Sequence, residues 1–309
     1  MYVDERRLLP ATDPPARQIH IGCGCFLETL SIGATGLGFD ATIDYFPEGF
    51  YGQDEIGKKP VARVSLSKSL LTRPDELYDY IFQRQTNRKN YAGPKIMVSD
   101  TEFESLRNSN LDDSVILICM NDSEKMRPYL DIFYKAMDVE CKTRERYEES
   151  RLWFRFGEKQ RAEKRDGLSV AQLGVDGIRR RFLEWYLNNG NPSRWHSTTS
   201  IDRYMQTVRK GIESSQGLVF LKTETNSQLD WIKSGQSYAR VGLAAAKLGL
   251  FFHPYSQVLQ EYPEMKELQR EFNSLAGVEG EGKIQMAVRV GRANPSYYPF
   301  RRSFDSFKS

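Results

Sequence analysis

The sequence predicts a mixed helix-and-strand protein, and three observations carry that reading. Short apolar runs of strand length stand at residues 113–120 (DSVILICM), 214–225 (SSQGLVFLKTET) and 283–290 (KIQMAVRV). Between them lie longer stretches with apolar residues at helical spacing. Two small-residue segments, one before Gly38 and one before Gly249, end at glycines suited to a left-handed helix cap.

Taken in order, residues 1–18 read as an extended lead-in punctuated by Pro10, Pro14 and Pro15. Phe26, Leu27, Leu30, Ala34 and Leu37 then share one side of a helix that Gly38 ends. Residues 40–46 alternate and read as a strand closed by Pro47 and Gly49; residues 60–66 read as a second. Pro74, Asp75 and Glu76 form an acidic helix start, with Leu77, Tyr80 and Ile81 at helical spacing behind it and Gly93 and Pro94 as stops. After the strand at 113–120, Asn121-Asp122-Ser123 caps a helix carrying Met126, Leu130, Phe133, Tyr134 and Met137. Residues 142–166 are helical in composition and densely charged, interrupted by Trp153, Phe154 and Phe156. Gly174, Gly177, Gly190 and Pro192 mark turns, and residues 178–187 (IRRRFLEWYL) form a basic amphipathic helix, either a cover over a ligand or a surface insertion. Residues 218–221 give the clearest central strand, after which Asn226-Ser227 caps a short helix at 228–232 and a second helix begins at Gly235. Residues 263–276 add a charged helix, and the tail after Gly291 carries Arg292, Arg301 and Arg302 among Tyr297, Tyr298 and Phe300.

Composition narrows the function. Of 309 residues, 44 are basic and 41 acidic, so no whole-surface field favours nucleic acid. The acidic residues interleaved through 142–166 argue against base stacking there. Cys23, Cys25, Cys119 and Cys141 lack zinc-site spacing and read as reduced core thiols. His20, His196 and His253 stand singly, which supports neither a metal cluster nor a catalytic triad. No stretch reaches the about 18 apolar residues of a membrane span. The charged, proline-rich start is no signal peptide, so the expected setting is cytoplasmic, with no membrane partner; an export signal is expected only if a further segment precedes Met1.

Residues 84–89 pack Arg84, Thr86, Asn87, Arg88 and Lys89 together. Two arginines four apart with a hydroxyl between them suit a phosphate; a solvated basic helix end is the competing reading. The two glycine-bounded helices also match, with Gly24 to Gly38 facing Gly235 to Gly249 at an offset of 211. At that offset Ala34 faces Ala245, and Leu37-Gly38-Phe39 faces Leu248-Gly249-Leu250. Either two capped small-residue helices look alike, or two related units are fused, residues 1–70 being the back part of a first copy and 71–309 a complete second.

Four segments, DPPARQIHIGCGCFLETLSIGATGLGF, RQTNRKNY, GQSYARVGLAAAKLGLFFHPYSQ and MAVRVGR…YPFRRSFDSF, resemble the FMN-dependent nitroreductase family, most closely its fused-pair, Acg-like branch. The resemblance implies an α+β, nitroreductase-like fold: a mainly antiparallel central sheet flanked by helices, arranged as an internal pseudo-dimer. It implies FMN as cofactor, NAD(P)H as electron donor, and a small electron-poor acceptor such as a nitroaromatic or quinone. By the same resemblance Arg84, Thr86 and Arg88 hold the FMN phosphate, and Arg301 or Arg302 closes on it. Leu250, Pro254 and Tyr255 fall in the segment whose backbone lies along the flavin ring. The Pro-Ser-x-x-Asn-x-Gln-Pro-Trp segment usual in that branch has no counterpart before Asp13, so a preceding segment or a second copy in a homodimer is expected to complete the site. Some members of the branch bind flavin without turnover, which leaves FMN sequestration as the alternative.

Overall fold

Strands β3 (Val115–Met120), β4 (Gly217–Thr223), β5 (Phe251–Pro254) and β6 (Lys283–Gly291) form one sheet in the order β3-β4-β6-β5, every pair antiparallel. The computed structural model describes residues 1–93, 96–175, 177–188 and 195–307. The expected turn markers Pro94, Gly190 and Pro192 lie outside the described residues.

The unbroken apolar run of β4 follows from burial on both faces. Val219 and Leu221 join a core with Val241 and Leu243 of α8 (Gln228–Lys247) and Phe103 and Leu106 of α2 (Asp100–Ser109). Leu218 and Phe220 point to the opposite core, with Phe133 of α3 (Ser123–Lys142), Met205 of α7 (Thr198–Glu213) and Phe272 of α9 (Lys266–Leu275). Successive side chains thus serve two cores, as a strand covered on both faces requires. The α+β, mainly antiparallel expectation holds. Apart from the larger sheet, β1 (Phe39–Tyr45) and β2 (Ala62–Lys68) pair only with each other.

Three expectations need correction. First, α8 is one continuous helix, where the sequence suggests a break before Gly235. That glycine marks a close approach inside the helix. Second, no α-helix starts at Pro74; there is only a single 3₁₀ turn, Tyr78–Tyr80. Asp75 there accepts the Leu77 N–H with one carboxylate oxygen and pairs with Arg240 of α8 through the other, at 2.7 Å. Third, the lead-in ends earlier than residue 18, because α1 spans Arg17–Thr35. The Asp13 carboxylate accepts the N–H groups of Gln18 and Ile19, satisfying donors that a helix start leaves free. On α1, Leu27 and Ala34 are buried as expected, but Phe26 is exposed, as is Leu37 just beyond the helix. The charged stretch after residue 142 splits into α4 (Arg144–Leu152) and α5 (Gly157–Lys164), and the basic amphipathic helix is α6 (Gly177–Asn188).

Helices α1 and α8 pack along each other, and their crossing decides how close they come. A Cβ on Gly24 would lie 2.0 Å from the Ile232 carbonyl oxygen, and one on Gly235 would lie 2.0 Å from that of Ile21. One turn earlier, the rings of His20 and Trp231 meet edge-on at 5.5 Å. At the helix starts, the Arg17 guanidinium donates to the Leu259 carbonyl at 2.6 Å, in the β5–β6 connection. The Gln228 amide donates to the Tyr51 carbonyl at 2.7 Å, in the β1–β2 connection. Arg17, although fully buried, is satisfied by Leu259, Gln285 and an ion pair to Glu261 at 3.1 Å.

This crossing sets a stability test. Gly24→Ala or Gly235→Ala forces backbone apart and should cost roughly 1–3 kcal/mol in urea unfolding. Gly22→Ala, on the exposed side of α1 with nothing within 4 Å of its new methyl, should be neutral or slightly stabilising.

Candidate anion-binding site

Residues 84–88 run extended beside β5. Thr86 bridges to Phe252 in parallel fashion, and Asn87 N–H donates to the Phe252 carbonyl at 3.1 Å. An extended segment sends alternate side chains to opposite sides, and the sequence Arg-Gln-Thr-Asn-Arg uses both. The odd positions are buried and tie down the tail. Gln85 accepts the Ser296 N–H at 2.5 Å, and the Asn87 amide donates to the Asn294 carbonyl at 2.9 Å. The even positions, Arg84, Thr86 and Arg88, are half-buried and converge on Tyr238 of α8. Tyr238 lies close to Thr86 and within electrostatic reach of both arginines; burial pushes its phenol up to about 12.

Neither the Arg84 nor the Arg88 guanidinium makes a hydrogen bond or ion pair among the described residues. Around Arg88 stand Tyr204, Tyr238, Tyr255 and Tyr91, and burial pulls the Arg88 guanidinium below its ordinary value. The Cys25 thiol of α1 lies near Arg84, and burial pushes it up to about 12 against the pull of that cation. Two forked donors beside a hydroxyl, with no carboxylate bonded to them among the described residues, are a donor set whose chemistry suits an oxyanion.

The tail arginines separate. Burial, then the charge of Arg84 beside it, holds Arg301 below its ordinary value. Arg302 lies instead over the Phe307 ring at 4.0 Å, with Arg7, Asp4 and Asp166 as its charged neighbours. Arg301 therefore joins Arg84, and Arg302 does not.

The other expected positions have different surroundings. Leu250 is buried in the core where Gly249, at a φ of 70°, turns the chain from α8 into β5. Pro254 is half-buried on β5. The Tyr255 ring is buried and stacks on Phe133 at 5.4 Å, so it packs into the core while staying within reach of Arg88.

Several residues that hold the site escaped the sequence reading. Arg289 of β6 is fully buried and donates to the Lys89 carbonyl at 2.7 Å, the Gly211 carbonyl at 2.5 Å, the Ser214 hydroxyl at 3.1 Å and His253 Nδ1 at 3.0 Å. It also covers the Tyr91 ring at 4.0 Å. Arg289 thereby fixes the backbone one residue beyond Arg88. Because Nδ1 of His253 accepts, its proton sits on Nε2. Burial, with Arg289 and Arg88 nearby, holds His253 neutral, well below the usual imidazole range. The alternation of 84–88 was the available signal for Gln85 and Asn87; nothing local marks Arg289.

No protein-family model matches this chain, and no characterised protein matches it in sequence. Among solved structures, it is similar to a nitroreductase with bound FMN from Bacteroides fragilis at 13% identity and a TM-score of 0.43, covering 76% of this chain and 98% of that one. It is also similar to oxidized iodotyrosine deiodinase bound to FMN and 3-iodo-L-tyrosine, at 16% identity and a TM-score of 0.42, covering 74% and 95%. A third is the NADPH:FMN oxidoreductase from Vibrio harveyi complexed with NAD+, at 11% identity and a TM-score of 0.39, covering 73% of each chain. Likeness at this level carries no functional weight.

The neutral His253 gives stability a pH dependence. The unfolded chain's histidine takes a proton below about 6.5 while the folded one does not, so stability falls as pH drops. The slope is about 1.4 kcal/mol per pH unit for such a group. His20, also lowered by burial, acts in the same direction. Urea unfolding at pH 7.5 and 5.5 should show His253→Gln, whose amide can still accept from Arg289, losing less stability on acidification than the wild type.

Proposed function

We propose that this chain is an FMN-dependent oxidoreductase of nitroreductase-like fold, with FMN phosphate at Arg84, Thr86 and Arg88. The observation that carries the reading is the pair of guanidiniums on one side of an extended segment that have no partner among the described residues, with Arg301 beside Arg84. Leaving such donors without acceptors in a half-buried setting is unfavourable, and a phosphate supplies the missing acceptors. The donor set therefore fits the group. When bound, FMN would supply hydride transfer from NAD(P)H to an electron-poor small molecule such as a nitroaromatic or quinone.

The chain's own residues have definable parts. Arg84 and Arg88 bind the phosphate as charge-assisted donors. Thr86, close to Tyr238, adds a hydroxyl. Arg301 closes from the tail. Gln85, Asn87 and Arg289 hold the segment's backbone without touching the ligand. The turn at Gly249 lays β5, including Pro254, alongside that segment.

In this reading the chain is an internal pseudo-dimer, residues 1–70 forming part of one copy and 71–309 the other. Support comes from the parallel orders α1-β1-β2 and α8-β5-β6, each ending in an antiparallel strand pair. The contacts Gly24 with Ile232, and Gly235 with Ile21, also exchange under the offset of 211.

Flavin titration tests the proposal. Arg84→Ala and Arg88→Ala should each weaken FMN binding by about 1.5–3 kcal/mol, the range for hydrogen bonds to charged groups. Arg302→Ala should leave binding unchanged. A wild-type chain that takes up no FMN, or arginine variants that bind it unaltered, would overturn the assignment. FMN uptake without NAD(P)H oxidation across varied acceptors would instead favour sequestration without turnover.

A further inference from the structure

Helix α8 turns one glycine and one tyrosine toward the arginine segment, a single turn apart. A Cβ on Gly242 would lie 3.4 Å from Cδ of Arg84 and 4.0 Å from the Phe252 ring. The stem of Arg84 therefore crosses α8 where that helix has no side chain. Residues four apart share a helix face, which puts Tyr238 beside the same stem. The Tyr238 ring packs against Phe252 of β5, with centroids 6.1 Å apart, and borders the core that holds Val241 and Leu243. Its hydroxyl end lies near Arg84, Arg88, Thr86 and the Cys25 thiol.

The chemistry of that end follows from its surroundings. Two neighbouring cations favour a phenolate, yet burial outweighs them and pushes the phenol up to about 12, so it keeps its proton at neutral pH. A protonated phenol donates without bringing a negative charge that would compete for Arg84 and Arg88. Thr86 supplies a second hydroxyl close by. When two hydroxyls bond to each other, one donates and the other accepts, and the accepting group keeps its proton for an outside oxygen. This pair thus has a donor to spare, next to two guanidiniums that have no partner among the described residues.

We propose that Tyr238 is a direct ligand of the phosphate, its hydroxyl donating to a phosphate oxygen from α8 while Arg84, Thr86 and Arg88 donate from the extended segment. The assignment rests on FMN phosphate being the anion held there, and it gives that site a second wall. The segment 84–88 lies along β5, whereas Tyr238 belongs to a helix locked against α1 at Gly235. A hydroxyl carried by a packed ring on such a helix is set in place before the ligand arrives, so little side-chain freedom is lost on binding.

Titration with two flavins tests the assignment. Tyr238→Phe keeps the ring and its packing on Phe252 and removes the hydroxyl alone. It should weaken FMN binding about ten-fold, the low end for a hydrogen bond to a charged group, and leave riboflavin, which has no phosphate, bound as before. Unchanged FMN affinity, or equal losses for both flavins, would overturn the assignment. Arg84→Ala separates the two levels. If it loses FMN affinity and Tyr238→Phe does not, the phosphate site stands without Tyr238; if neither loses affinity, or the wild type takes up no FMN, the phosphate site falls and Tyr238 with it. Crystals of the wild type grown with FMN decide even if the variant folds poorly: the Tyr238 hydroxyl should lie within hydrogen-bond distance of a phosphate oxygen, and a phosphate held by Arg84 and Arg88 with that hydroxyl out of reach would overturn the assignment.

Discussion

Everything in this molecule is arranged around the crossing of α1 and α8, where two glycines let one helix backbone rest on the other. A methyl at either position would lie 2.0 Å from a carbonyl oxygen of the opposite helix. That closeness brings the first 70 residues against the rest of the chain. It lets Arg17 and Gln228 reach into each other's strand connections. It also places Cys25 of α1 and Tyr238 of α8 near the same arginine, Arg84. The candidate site is thus lined by both helices, although Arg84, Thr86 and Arg88 come from the segment between them.

The site itself rests on a division of labour within five residues. Alternation along an extended chain gives 84–88 two sides. One is committed to the tail through Gln85 and Asn87; the other leaves Arg84 and Arg88 without partners among the described residues. The guanidinium of Arg289 differs in kind, being fully buried and bonded through all three of its nitrogens. Its function is to fix Lys89, Gly211, Ser214 and His253 relative to one another. The same residue type is thus a brace where acceptors surround it and, in the proposed reading, a binding group where they are missing.

Much of this was legible in the sequence for specific reasons. The strands at 218–221 and 283–290 stood out because burial on both faces demands unbroken apolar runs, while the edge strand at 113–120 is as apolar in sequence although Ile116 is exposed. The α1–α8 correspondence was visible because only glycine tolerates the approach at Gly24 and Gly235. The same glycine misled the reading of α8, since a residue that often ends a helix sits here in its interior. In place of the helix expected after Pro74 there is a single 3₁₀ turn, and Asp75 is engaged by Arg240, a partner 165 residues away that the local sequence does not reveal. Helix α2 went unread even though Ser99 and Glu102 form a reciprocal cap at its start. Separation of Arg301 from Arg302 depends on tertiary neighbours alone, which adjacent residues of identical type cannot reveal.

The most direct measurement is a crystal structure of the chain grown with FMN. The expected result is a flavin phosphate within hydrogen-bond distance of the Arg84 and Arg88 guanidiniums, with Arg301 turned toward it and Arg302 still on Phe307. A flavin bound elsewhere, or Arg84 and Arg88 found paired with carboxylates of the protein, would contradict the assignment.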